Sequence, residues 1–264
     1  MLTCSLLLIY GVGQSQIGQG TAHDDQPSQS FSALLSLGLD TTSIDTAISW
    51  SLPSSGNVGL LSGIFVVNLP QLILSLAYFA YNALFTSMLA GLEWSQMAWQ
   101  KKSLRVSQRP QGEQRGSYFL HLPYRYAIPL LGFSAAMHWL VSQSIFLIAV
   151  ERYDPQGYPS TIDSGGEHYT CSWSPLAVLL VICGGVLMTA GAIGMGLRKY
   201  QPGMPLGGTN SAVIAVVCHV VEGEENIECK KVKWGVVGNH TDGTGHCAFS
   251  SGEPAFPQEG VAYR

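Results

Sequence analysis

The hydrophobic pattern is dominated by one stretch, residues 59–94, in which no Lys, Arg, Asp or Glu occurs before Glu93. Such a run outlasts strands and ordinary core helices. It predicts a membrane-spanning helix with its core at 64–90, longer than the ~20 residues that cross ~30 Å of hydrocarbon. Two further apolar runs predict spans at about 126–150, closed by Glu151 and Arg152, and at about 175–197, closed by Arg198, Lys199 and Tyr200. Residues 1–13 hold only a short run, Leu6 to Tyr10, with no basic residue before it. It is too short to span and lacks a charged n-region, so a loosely bound apolar terminus is preferred over a weak or cleaved targeting segment.

The polar positions inside the spans are ordered. Asn68, Gln71, Ser75, Tyr78, Asn82 and Thr86 recur at steps of three and four, a single stripe on the first span, while Leu72, Ile73, Leu76, Phe79 and Leu89 cover the other faces. An amide unpartnered in hydrocarbon costs several kcal/mol, so the stripe is expected to meet another helix or a wet cavity. Hydrogen bonding between helices is preferred over a permeation path, and a prosthetic-group site ranks last. Pro70 removes one amide hydrogen bond and predicts a kink or a freed carbonyl. On the second span, His138 shares a face with Ser134 and Ser142, and Gln143 follows. A neutral His138 bonded to the first span's stripe is preferred over proton or ion handling, although an intramembrane ionisable residue is a functional candidate. On the third span Gly185, Thr189, Ala192 and Gly196 form a small-residue face suited to close helix packing. The adjacent GAIGMG lacks both the GxGxxG spacing and a preceding strand, which excludes a dinucleotide fingerprint.

Charge then fixes the orientation. Only 11% of residues are charged and 47% are hydrophobic, far from the ~25% charged of soluble domains. Residues 91–125 carry Lys101, Lys102, Arg105, Arg109, Arg115 and Arg125, whereas 1–57 carries Asp24, Asp25, Asp40 and Asp45 with no base. The connection after the second span holds Asp154, Asp163 and Glu167. The positive-inside rule places the basic loop and the C-terminal tail in the cytoplasm and the acidic segments outside, leaving Arg152 as the only base on the outer side. Residues 1–57 read as a mostly flexible acidic arm, with 31–39 as a short amphipathic piece.

In the tail, 201–264, the β-branched run 212–221 predicts a strand, followed by an acidic turn, a second strand near 232–237, a Gly-rich turn and a third strand near Cys247. Asn239-His240-Thr241 is a glycosylation sequon that this topology keeps from the lumen. The fold class is therefore an α-helical integral membrane protein with about three transmembrane helices and a small cytoplasmic β-rich appendage.

Candidate chemistry is sparse. No GxSxG, HExxH, Walker or kinase signature occurs. Cys218-His219, Cys229, His240 and His246-Cys247 could be pooled into a zinc set, but their spacing is irregular and ordinary roles are preferred. No catalytic residue, metal or cofactor is assigned. Lys101, Lys102, Arg105 and Arg109, behind Trp94 and Trp99, are candidate contacts for anionic lipid headgroups, although a plain topogenic signal is preferred. Phosphorylation of Ser103 or Ser107 would weaken that attraction.

The run GLEWSQMAWQKKSLRVSQRPQGEQRGSYFLHLPYRYAIPLL, its continuation through Met137-His138-Trp139 to Leu147, and the later RKYQPGMPLGG, KVKWGVV and GHCAFSS resemble a family of multi-span membrane proteins of filamentous fungi whose function is unknown. The resemblance covers roughly residue 68 to the C-terminus and corresponds to the C-terminal part of longer members. It implies a shortened copy or an incomplete gene model, and it carries over no functional residue. The expected molecule is a multi-pass, non-enzymatic scaffold or accessory component of the plasma membrane or an endomembrane. Its expected partners are the bilayer, anionic headgroups, and its own copies or another membrane protein, with no nucleic acid. The alternative is a transporter or channel subunit with a path lined by the first two spans.

Overall fold

The computed structural model describes residues 55–118, 121–151, 167–207, 210–218, 223–239 and 243–263, with short pieces at 38–39, 47–48, 53 and 153. Most of the acidic arm lies outside the described residues, as do Arg152, Asp154, Asp163, His219 and His240. The elements in order are β1 (Ala47–Ile48), α1 (Gly56–Ser95), β2 (Lys102–Ser103), β3 (Arg105–Val106), β4 (Arg115–Gly116), α2 (Tyr124–Ser144), β5 (Ile145–Glu151), β6 (Glu167–Trp173), α3 (Pro175–Gly196), α4 (Ser211–Val217), β7 (Lys231–Asn239) and β8 (Gly245–Ser250). They fall into two compact units, one within 1–79 and 130–191, the other within 80–129 and 192–264. The expected divisions at 57 and 200 are not where the chain divides, because each long helix contributes residues to both units.

In the first unit, β5 and β6 form an antiparallel hairpin from Ile145↔Trp173 to Glu151↔Glu167, and β1 adds to β6 through Ala47↔Ser172 and Ile48↔Cys171. Two expectations change here. The second span was expected to run to 150, but its helix stops at Ser144 and the last six apolar residues are strand. Hydropathy alone cannot separate these states, and the branched and aromatic residues of Ile145-Phe146-Leu147-Ile148 favour the pleated one once a partner strand exists. The arm expected to be flexible contributes β1. Ser174 caps α3, its Oγ accepting from Ala177 N at 3.4 Å, and Pro175 follows at the first helical position, where a missing N–H costs nothing. Met137, Val141, Ile145, Cys171, Trp173, Val178 and Val181 make the core, with Val66, Val67 and Leu74 of α1 packed against it.

The small-residue face on α3 is displaced from its expected position. Among the α3 glycines of this unit the close approach is at Gly184, where an added Cβ would meet Met137 Sδ and Phe133. The expected Gly185 instead accepts a hydrogen bond from Thr189 Oγ1 at 2.9 Å. In the second unit, Gly196 does meet a neighbouring side chain, Met88, at ordinary distance.

The second unit is built on the sheet β2-β7-β8. β7 and β8 pair antiparallel with an irregularity between Val236 and Gly238, and Val236 exchanges two backbone hydrogen bonds with Ala255 at 2.8 and 3.1 Å. These strands fall close to the second and third expected in the tail. The first expected strand, 212–221, is instead helix over Ser211–Val217. Asn210 explains the difference: its side chain accepts from Ala212 N at 3.0 Å, a cap that nucleates a helix, and Val213 and Val217 then share the face that enters the core. Met97, Ala98, Met204, Val232, Trp234, Cys247 and Phe249 complete that core. Trp94 and Trp99 tie in the chain after α3. Their Nε1 atoms donate to the carbonyls of Pro205 at 3.0 Å and Pro202 at 2.8 Å, and their rings pack on Phe249 and Phe256.

A β-carbon on Gly235 would lie 2.5 Å from the Ala255 carbonyl oxygen and 3.1 Å from Pro254 Cβ, whereas one on Gly238 would meet nothing within 4 Å. Gly235→Ala is therefore expected to lower stability by about 1–3 kcal/mol, and Gly238→Ala to change it by less than about 0.5 kcal/mol. Thermal unfolding of the two purified variants checks the pair.

Candidate functional site

The second unit contains a cleft of about 510 Å³ whose walls differ in chemistry. One wall is the C-terminal part of α1, with Thr86, Leu89, Ala90 and Leu92, ending at Glu93 and Gln96. The rest of the lining includes Lys101, Lys102, Arg105, Arg115 and Lys231, with His121 just before α2. Glu93 is the only carboxylate among the lining residues.

Short backbone pairings assemble these cations. β3 and β4 pair in parallel with Arg105 opposite Arg115, which places two guanidinium-bearing residues on neighbouring strands about 4.8 Å apart. β2 pairs with β7, setting Ser103 opposite Lys231 and Lys102 opposite Val232, so a lysine far along the chain joins the loop's own bases. Gly112 makes the turn between β3 and β4 possible. Its φ is +58°, and a Cβ there would strike the Cys229 carbonyl. Glu113 N then donates to that carbonyl at 2.7 Å.

Three of the cations have carboxylate partners. Arg105 Nε donates to Glu93 at 3.2 Å, its NH2 donates to Tyr118 OH at 2.6 Å, and its Cζ lies 4.0 Å from the Tyr118 ring centroid. Lys101 pairs with Glu253 at 3.1 Å and Lys231 with Glu113 at 3.2 Å. The Lys231 backbone N–H and then its ammonium hold the Glu113 carboxyl below its ordinary pKa. The other two lack such a partner. Lys102 Nζ donates to the neutral Gln96 Oε1, and among the described residues the Arg115 guanidinium makes no hydrogen bond or ion pair. Burial lowers the Lys102 pKa; Glu93 opposes that shift, while Arg105 and Arg115 add to it.

Of the expected headgroup contacts, Lys101, Lys102 and Arg105 come together here, and Arg109 does not line the cleft. Ser103 is buried at 8% exposure, which removes it as a modification site. Sequence reasoning missed Lys231, whose arrival depends on the β2–β7 register. It also missed Arg115 as a site residue, although Arg115 was visible in the same basic loop.

The polar stripe behaves differently from expectation. Thr86 alone of the stripe lines the cleft. Asn68 Nδ2 donates to Ile64 O at 2.8 Å, Ser75 Oγ to Gln71 O at 3.0 Å and Thr86 Oγ1 to Asn82 O at 2.8 Å. These side chains return to carbonyls four residues earlier in their own helix, which satisfies them without a second helix. Gln71, Ser75 and Tyr78 are half-buried and Asn68 is exposed. His138 is half-buried and, among the described residues, makes no hydrogen bond, so its expected bond to the stripe is absent. Gln143 Nε2 reaches only Ser142 Oγ, at 3.5 Å.

Fold and cleft together define a mixed helical and stranded chain with a cationic cleft built on a small sheet. By sequence it belongs to the family described as a domain of unknown function, DUF8419, which it matches over residues 14–259. No curated protein and no solved structure matches the chain.

The lowered pKa of Lys102 carries a sign. A lysine whose pKa is lower folded than unfolded costs stability at every pH below the folded value, and the cost fades as pH rises toward ~10.4. Lys102→Met is expected to melt at or above the temperature of the unsubstituted protein at pH 7, with the difference shrinking by pH 10.5. Thermal unfolding at the two pH values measures it, and a variant that melts below the unsubstituted protein at pH 7 would refute the burial argument.

Proposed function

We propose that this chain is a multi-pass integral membrane protein, of the multi-span kind found in filamentous fungi, acting as a non-enzymatic scaffold or accessory component. The observation that carries the reading is the outward face of α1. Phe65, Leu72, Leu76 and Phe79 are 58–68% exposed, and only 6% of the helix's most apolar window is buried. A soluble protein would leave a run of large apolar side chains in water, at roughly 25 cal/mol per Å². Lipid removes that cost. By length and composition α1 with its following turn, residues 56–98, and α3 are both apolar enough to cross a bilayer, and α3's window is only 17% buried.

The same reading takes α2 as a third crossing. Its 21 residues rise about 31 Å, enough for the hydrocarbon core. Charge supports this count, because an odd number of crossings separates the basic 91–125 segment from the acidic one before β6 and keeps Lys230, Lys231 and Lys233 on the basic side. The transporter alternative draws less support, since Asn68 and Ser75 of the path it would use bond to carbonyls of their own helix.

Alkaline carbonate extraction of cells expressing the full chain tests the reading. The protein is expected to stay with the membrane pellet and to need detergent for release. Release into the carbonate supernatant, or sugar on Asn239, would defeat it.

A further inference from the structure

We infer that the cleft of the second unit is a binding site for a phosphate-bearing anion, seated at Lys102 and Arg115 in the cleft that the C-terminal part of α1 also lines. The first argument is a charge count at the site. Five Lys and Arg side chains line the cleft, and three of them meet carboxylates: Arg105 with Glu93, Lys101 with Glu253, Lys231 with Glu113. Lys102 and Arg115 make no ion pair and repel each other, and the Glu93 that attracts Lys102 is already bonded to Arg105. Five bases against three acids leave an excess of positive charge around the cleft, an arrangement that a dianion relieves and a neutral ligand does not.

The second argument is donor geometry. A guanidinium offers a planar fork of N–H groups that fits two phosphate oxygens, and an ammonium adds a point charge. Arg105 is already fixed by Glu93, the Gly116 carbonyl and Tyr118, so it serves as a positioned neighbour while Arg115 stays free to engage. Burial and the nearby arginines already work against the charge on Lys102, so an incoming anion gains from restoring it.

The third argument concerns the ligand's other end. Leu89, Ala90 and Leu92 of α1 supply apolar lining to the same cleft. Free phosphate leaves that lining unused, whereas an amphiphile places its headgroup on the bases and its alkyl part along α1. A lipid source rests on the membrane reading above; the phosphate site itself does not.

The test uses the purified full chain in a nonionic detergent, titrated by calorimetry with short-chain phosphatidic acid, with sodium phosphate, and with short-chain phosphatidylcholine as an uncharged control. Saturable binding of phosphatidic acid, tighter than of sodium phosphate and absent for phosphatidylcholine, is expected. Equal affinity for phosphatidic acid and phosphate would still support the phosphate site and assign it to a soluble ligand. Arg115→Gln, an exposed position without a structural partner, is expected to weaken binding about tenfold, the scale of one lost charge-assisted hydrogen bond. Arg109→Gln removes the same charge from the same loop outside the cleft and is expected to change affinity less than about twofold through residual screening. No saturable binding of either phosphate probe would overturn the proposal. Equal losses from Arg109→Gln and Arg115→Gln would also overturn it, by showing diffuse attraction. Either failure is distinguishable from a failure of the membrane reading, which carbonate extraction reports alone.

Discussion

Like charges do not gather in a cleft unless something holds them there. Across the second unit the holding force is backbone hydrogen bonding between very short strands. Two residue pairs join β3 to β4 and two join β2 to β7, and each opposes the repulsion among the lysines and arginines they carry. Such pairings are too short to persist alone. They persist because β7 is also held by β8 over Lys233↔Ser250 to Asn239↔Gly245, and because Val232, Trp234, Cys247 and Phe249 bury a core beneath it. The cationic site is thus a consequence of a stable hairpin, on which weaker edges are carried.

A different balance governs α1. Its polar residues are grouped on one face, and Asn68, Ser75 and Thr86 among them bond back to carbonyls of their own helix, so these three already have a partner within it. Its exposed side is largely apolar. On the membrane reading proposed above, this combination is economical: the exposed Asn68 and Ser87 are bonded to carbonyls of their own helix, while the half-buried side packs Val67 and Leu74 beside Gln71 and Ser75 against the first core. Side-chain bonding to the backbone also explains why a stripe of amides and hydroxyls does not by itself imply a pore.

What could be read from the sequence followed from how local each signal was. The helical character of 64–90 and 175–197 rests on apolar length alone, and it held, with α1 extending at both ends to Gly56 and Ser95 and α3 ending at Gly196. The end of α2 was not legible, since Ile145 to Val150 is equally apolar in either state and only the distant β6 decides. Asn210 was a local signal and could have been read: a capping residue before Val213 and Val217 outweighs the β-branched character of seven residues. At the site, the loop bases were visible as a cluster in the sequence. Lys231 was not, because a register between two strands far apart in the chain is written nowhere in either one. The separation of Arg109 from its neighbours had no sequence signal either.

The tail's attachment to the site follows from the same logic of distant pairing. Trp94 and Trp99 were expected to sit among lipid headgroups on the strength of their amphipathic rings. In the structure their N–H groups are already used by the Pro205 and Pro202 carbonyls, in the non-helical segment that follows α3. Phe249 and Phe256 cover the rings. The indoles therefore fasten the C-terminal sheet to the end of α1, and that fastening brings Glu253 to Lys101 and Lys233. An exposed ion pair of this kind contributes little stability, about 0–1 kcal/mol. Its consequence is electrostatic: Glu253 neutralises Lys101, and the excess positive charge of the cleft is left at Lys102 and Arg115.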